Sequence, residues 1–111
     1  MDYEEINKSA QKNSEEIFNL IPNFMQAISQ ASDLLSESTT TDSKQRELIF
    51  LAFSIAKQCD ACIATHTQAY IDVGGDRDSL GDLAAIAVLM QGGPGLTYAG
   101  KVVEAFDQLS N

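Results

Sequence analysis

A chain of 111 residues with sixteen acidic and seven basic side chains, net charge −9, is sized for one domain over 1–111 and lacks the basic patches that nucleic acids and anionic membranes require. Its 44% hydrophobic, 21% charged composition suits a folded protein, and no apolar run reaches the roughly 18 residues of a membrane span. The opening Met-Asp-Tyr-Glu-Glu has neither the basic nor the apolar region of a signal peptide, so we expect a cytoplasmic protein whose thiols are normally reduced.

Taken in order, the chain reads as all-α. Asp2 can cap a first helix running to about Leu20, with Tyr3, Ile6, Ala10, Ile17 and Leu20 on one apolar stripe. Its polar middle, Gln11 to Ser14, places it on the surface and lets it fray. Pro22 opens a second helix to Leu35, whose buried face is expected to carry Phe24, Ala27, Ile28, Ala31, Leu34 and Leu35. A polar loop, Ser36 to Thr41, follows. Asp42 and Gln45 form a capping box for a third helix to about Gln58, in which only Ser54 interrupts the apolar stretch Leu48 to Ala56. A fourth helix begins near Cys59 or Asp60 and stops before Gly74-Gly75. The fifth is expected from about Ser79 to Gln91, with Ser79 and Asp82 as a capping box and Leu83 to Met90 apolar all round. Gly92-Gly93-Pro94-Gly95 reads as a turn. A last helix, about Leu96 to Leu109, shows Leu96, Ala99, Val102 or Val103, Phe106 and Leu109 on one face. The expectation is a bundle of about six helices. Helices apolar all round need covering on several sides, which a short chain cannot supply, so an oligomer is expected.

The chemistry concentrates between Glu47 and His66. This stretch holds both cysteines, as Cys59-x-x-Cys62, and the only histidine. At a helix start, unpaired N–H groups and the dipole favour thiolate over thiol. Two cysteines three positions apart can close a disulfide if their Cβ atoms approach to about 4 Å. His66 lies one turn beyond Cys62 and can carry a proton to or from it. Glu47, on the preceding helix, can accept from the imidazole and set its tautomer. Three other readings compete. Cys59, Cys62, His66 and Glu47 can be the ligands of a zinc site. The cysteines can be small buried apolar groups in a non-catalytic helical assembly module. Glu47 can be an exposed charge or a partner of Lys44, Arg46 or Lys57.

The pattern Glu47…Cys59-x-x-Cys62-x-x-x-His66, with Ala69, Gly74 and the run Met90-Gln91-Gly92-Gly93-Pro94, resembles the alkylhydroperoxidase AhpD-like and carboxymuconolactone decarboxylase family. The likeness covers about Leu34 to Phe106, and its specific part is the cysteine–histidine–glutamate spacing. It implies an all-helical fold assembled as a homotrimer or homohexamer. It also implies reduction of a peroxide substrate through the thiols, at the expense of a thiol or dithiol reductant and with no cofactor or metal. By that resemblance Cys62 forms the sulfenic acid, Cys59 donates a proton and resolves it as a disulfide, and Glu47 and His66 relay protons. The helical rise agrees, since His66 stands about 6 Å along the axis from Cys62 and about 10 Å from Cys59. The family's decarboxylase branch does not depend on such a pair, so the cysteines favour the peroxidase branch. One position departs: a histidine precedes the second cysteine in the best-known peroxidases, and Ala61 stands there in this chain.

Overall fold

The computed structural model describes residues 1–111 as six helices: α1 Tyr3–Leu20, α2 Pro22–Ser36, α3 Ser43–Ala56, α4 Asp60–Asp72, α5 Arg77–Gln91 and α6 Gly93–Leu109. The all-α reading holds, and no strand forms. Helices α3 to α6 pack around a cluster of 12 buried apolar residues that includes Leu51, Ile55, Ile63, Tyr70, Leu80 and Val102. None of the helices is long and apolar enough to cross a membrane.

The first turns of α1 belong to this body. Asp2 caps the helix as expected, its carboxylate accepting the Glu5 N–H at 3.1 Å. Tyr3 is fully buried in the core, and its backbone N–H donates to Gln108 Oε1 of α6 at 3.0 Å. Asn7 donates through Nδ2 to the Ala64 carbonyl of α4 at 3.0 Å. From Gln11 to Leu20 every residue is exposed, so the expected stripe is covered only over its first half, and Ile17 and Leu20 face outward. The ends of α2 match expectation to within a residue, but its apolar face is not buried. No residue of α2 is buried, and Phe24 is 64% exposed. The reason is topological: α2 packs chiefly on the outer half of α1, and no other element of the chain is positioned over it.

The last two helices depart from expectation at their starts. Helix α5 begins at Arg77, not Ser79, because Asp76 rather than Ser79 is its cap. The Asp76 carboxylate accepts the Ser79 N–H at 2.9 Å, and this bond, reinforced by the Ser79 hydroxyl, holds its carboxyl below the usual aspartate range. The expected four-residue turn contracts to Gly92 alone, at φ 62° and ψ −133°, a conformation suited to glycine. Helix α6 therefore starts at Gly93, with Pro94 in its first turn, where a missing N–H breaks no helical bond. The face of α6 turned to the core is Gly95, Ala99, Val102 and Ala105, with Phe106 half-buried and Leu96 exposed.

Gly95 sets how closely α6 approaches α5. A Cβ there would overlap the Ala87 carbonyl, a backbone atom that cannot swing aside. Gly95→Ala is therefore expected to lower the stability by about 2 kcal/mol through overpacking, despite alanine's better helix propensity. A urea titration checks this, with a lower midpoint and an unchanged slope as the expected result.

Candidate active site

The candidate residues stand on α3, on α4 and at the junction between them. Helix α3 opens with the expected reciprocal capping box: Gln45 N–H donates to Asp42 Oδ1 at 2.8 Å, and Asp42 N–H donates to Gln45 Oε1 at 2.9 Å. It closes at Ala56, two residues before the expected end, through a left-handed residue. Gln58 adopts φ 54°, its N–H donates to the Ile55 carbonyl, and Cys59 N–H donates to the Ser54 carbonyl, both at 3.1 Å. This double closure normally uses glycine at the left-handed position, and a non-glycine residue there costs about 1 kcal/mol. Helix α4 ends in the same way but with Gly74 at φ 82°. The turn at Gln58 leaves Cys59 extended, as the cap of α4.

Cys59 thus occupies the place where a serine or aspartate usually sits. Its Sγ accepts the Cys62 N–H at 3.1 Å, so a first-turn donor of α4 points at the first sulfur. Cys59 and Cys62 are joined in a disulfide, their Cα atoms 5.2 Å apart. Both residues are half-buried, and Ala61 between them is exposed. Asp60, in the first turn of α4, accepts from Lys101 Nζ of α6 at 2.9 Å. That bond raises Lys101 above the ordinary lysine range, and the ammonium also lies 4.4 Å from the centroid of the Tyr98 ring. Behind the site, the Tyr3 hydroxyl is pushed up to about 12, by burial first and then by the Glu104 and Asp60 carboxylates. It stays protonated near neutral pH and is no acid–base candidate.

Glu47 and His66, separated by nineteen positions, meet across the α3–α4 contact. His66 Nδ1 stands 3.1 Å from Glu47 Oε2. A carboxylate can only accept, so Nδ1 carries the hydrogen, and in the neutral imidazole Nε2 then holds the lone pair. The side chains are 14% exposed for Glu47 and 30% for His66, so a small solute can reach the imidazole while the carboxylate is largely screened from water. Glu47 makes no ion pair with Lys44, Arg46 or Lys57. Arg46 is used elsewhere, donating to the Ser38 and Thr41 carbonyls of the α2–α3 loop.

The structure therefore joins the two cysteines and brings together Glu47 and His66, and it sets His66 on the same helix as Cys62. It adds one residue the sequence reading did not single out. Phe50 stacks on His66 with ring centroids 4.7 Å apart and planes at 23°. Its spacing of three from Glu47 puts both on one face of α3, but an aromatic in an apolar helix is read first as core. For the zinc reading, no three of the histidine, cysteine, aspartate and glutamate side chains stand together as a ligand set in this disulfide state.

Comparison with known proteins agrees with this architecture. Two curated relatives share parts of the chain. An uncharacterized protein of Cupriavidus necator is 38% identical over 65 residues, which is 59% of this chain and 58% of that protein. An uncharacterized protein of Haemophilus influenzae is 30% identical over 67 residues, covering 60% and 59% of the two chains. The matched stretch is thus less than two thirds of either relative. The crystal structure of the apo form of a carboxymuconolactone decarboxylase family protein from Legionella pneumophila superposes with a TM-score of 0.93 at 31% identity, covering 98% of this chain and 97% of that one. The model of the carboxymuconolactone decarboxylase family matches residues 22–105, from the start of α2 to the last turns of α6. With that match spanning most of its length, the chain belongs to the carboxymuconolactone decarboxylase family.

Proposed function

We propose that this protein is a thiol-dependent peroxidase or thiol–disulfide oxidoreductase that works through Cys62 and Cys59. The observation that carries the reading is the Cys59–Cys62 disulfide at the start of α4, with His66, hydrogen-bonded to Glu47, four residues after Cys62 on the same helix. In the first step the Cys62 thiolate attacks a hydroperoxide. The O–O bond breaks, an S–O bond forms, and the alkoxide leaves as the alcohol after taking a proton. His66 moves the proton between thiol and leaving oxygen, and Glu47 holds the imidazole in the tautomer that allows it. In the second step the Cys59 sulfur attacks the Cys62 sulfenic acid: the S–O bond breaks, the S–S bond forms, and the hydroxide leaves as water with the proton that the Cys59 thiol gave up. A dithiol reductant then returns both thiols and is itself oxidised to a disulfide.

The N–H donated to Cys59 Sγ fits the resolving role, because it stabilises the thiolate that must attack and that must leave on reduction. With Ala61 between the cysteines, no imidazole stands there, and the proton work falls to His66 and Glu47. The cytoplasm is the setting that would supply the dithiol. A decarboxylase-like activity with idle thiols is the competing reading, favoured by the family's name alone.

One titration separates the two. The reduced protein is expected to show two free thiols, to lose both with one equivalent of an alkyl hydroperoxide, and to regain both with dithiothreitol. Two thiols that survive the peroxide would return the protein to the competing reading.

A further inference from the structure

Asp60 stands one position after Cys59 and two before Cys62, in the first turn of α4. The helix dipole favours an acid there, but the same carboxylate opposes a second negative charge on either sulfur. A chain of net charge −9 adds to that opposition. Lys101 answers it from α6: its Nζ donates to Asp60 Oδ1 at 2.9 Å, across a separation of forty-one positions. The Tyr98 ring, three positions back on the same face of α6, holds the ammonium from a second side, 4.4 Å from its centroid. With the two side chains 25% and 37% exposed, such an ion pair adds little to stability. What distinguishes it is its place beside the sulfurs.

We propose that Lys101 is a positioning residue for the cysteine pair, which by holding and neutralising the Asp60 carboxylate lets a thiolate form beside it. The inference rests on the reading of Cys62 and Cys59 as the reactive thiols. In the disulfide neither sulfur is charged, and the carboxylate opposes nothing. Once the dithiol reductant has supplied two electrons and the S–S bond has broken, a sulfur that gives up its proton sets a negative charge next to Asp60. The bonded ammonium then cancels most of the repulsion, and Lys101 acts through Asp60 without entering the thiol chemistry.

The other charged groups around the start of α4 do not take this role. From α3, Glu47 is bonded to His66, and Lys57, at the junction, makes no ion pair. From α1, Glu5 borders the hollow beside Ala61, is itself negative and pairs with Lys8, while the raised Tyr3 hydroxyl stays neutral. From α6, Glu104 is taken by the N-terminal ammonium at 3.2 Å. Lys101 is the cation bonded to the first turn of α4.

A charge cycle on the reduced full chain tests the proposal. Wild type, Lys101→Met, Asp60→Asn, the double variant and Lys101→Arg are alkylated with iodoacetamide over a range of pH, and mass spectrometry follows each cysteine. Lys101→Met leaves the carboxylate unanswered and is expected to move the lower thiol midpoint up by about half a pH unit, roughly a threefold change in the thiol–thiolate equilibrium. Asp60→Asn leaves the ammonium unanswered and is expected to move it down by a similar amount. The double variant and Lys101→Arg are expected to titrate as the wild type does. A bond that merely ties α4 to α6 would move both single variants the same way or neither, and either result overturns the proposal. So does a double variant or a Lys101→Arg protein shifted as far as Lys101→Met. Should Lys101→Met lose helicity by circular dichroism, Asp60→Asn decides, and a midpoint that stays or rises there overturns the proposal. Alkylation needs no turnover, so the two readings fail separately. Thiols that ignore an alkyl hydroperoxide while the midpoints move in opposite directions would overturn the peroxidase reading and support the role of Lys101.

Discussion

Cys62→Ser is expected to abolish peroxide consumption, leaving only the uncatalysed background, whereas Cys59→Ser is expected to react once and stop. The asymmetry follows from the roles assigned to the two sulfurs. Without Cys62 there is no nucleophile within a helical turn of His66, and a serine hydroxyl is far too weak a nucleophile near neutral pH to replace it. Without Cys59 the first step proceeds, but no thiolate follows to condense with the sulfenic acid, which accumulates on Cys62 and can be trapped. Mass spectrometry after one equivalent of peroxide is the measurement. The expected Cys59→Ser product carries one trapped adduct on Cys62 and no intramolecular disulfide. An adduct on Cys59 in the Cys62→Ser protein would exchange the two roles. The geometry makes that comparison informative, since the helix N–H points at Cys59 while the imidazole lies nearer Cys62 in sequence and along the helix.

Glu47→Gln and His66→Ala are each expected to slow peroxide turnover by about 100-fold, the scale of general acid–base assistance. Glu47→Gln keeps the shape of the side chain and removes its charge, so the amide no longer enforces a hydrogen on Nδ1. The double variant is expected to be little slower than either single one, because both groups serve one proton path. Stopped-flow turnover with dithiothreitol as reductant gives the three ratios. Effects that multiply to about 10,000-fold would show the two residues acting independently and would break the relay. Single variants at the wild-type rate would reduce the 3.1 Å contact between His66 and Glu47 to a structural tether between α3 and α4.

Much of this molecule is legible in the residue pattern alone. The all-α class, the Asp2 cap, the Asp42–Gln45 box, the break at Pro22 and the stop at Gly74 are local rules read over a few positions, and local bonds satisfy them in the fold. Cys62 and His66 share α4, so their spacing of one turn needed only the helical period. Contacts between helices do not follow from such local rules: the Glu47–His66 pairing was expected from the residue types and the resemblance, not from any spacing. Nineteen positions separate Glu47 from His66, and only the packing of α3 on α4 brings them to 3.1 Å, with Phe50 stacked on the ring. The left-handed Gln58, which makes Cys59 the cap of α4, carries no glycine to announce it. The start of α6 at Gly93 was hidden because a glycine–proline run reads as a turn, although proline is at home in a first helical turn. An apolar stripe, finally, states that a helix has a face to bury and leaves open what covers it. The sequence determined the stripe on α2, and the tertiary structure decided that the chain itself does not cover it, because α2 rests on an outlying half-helix with no third element in reach.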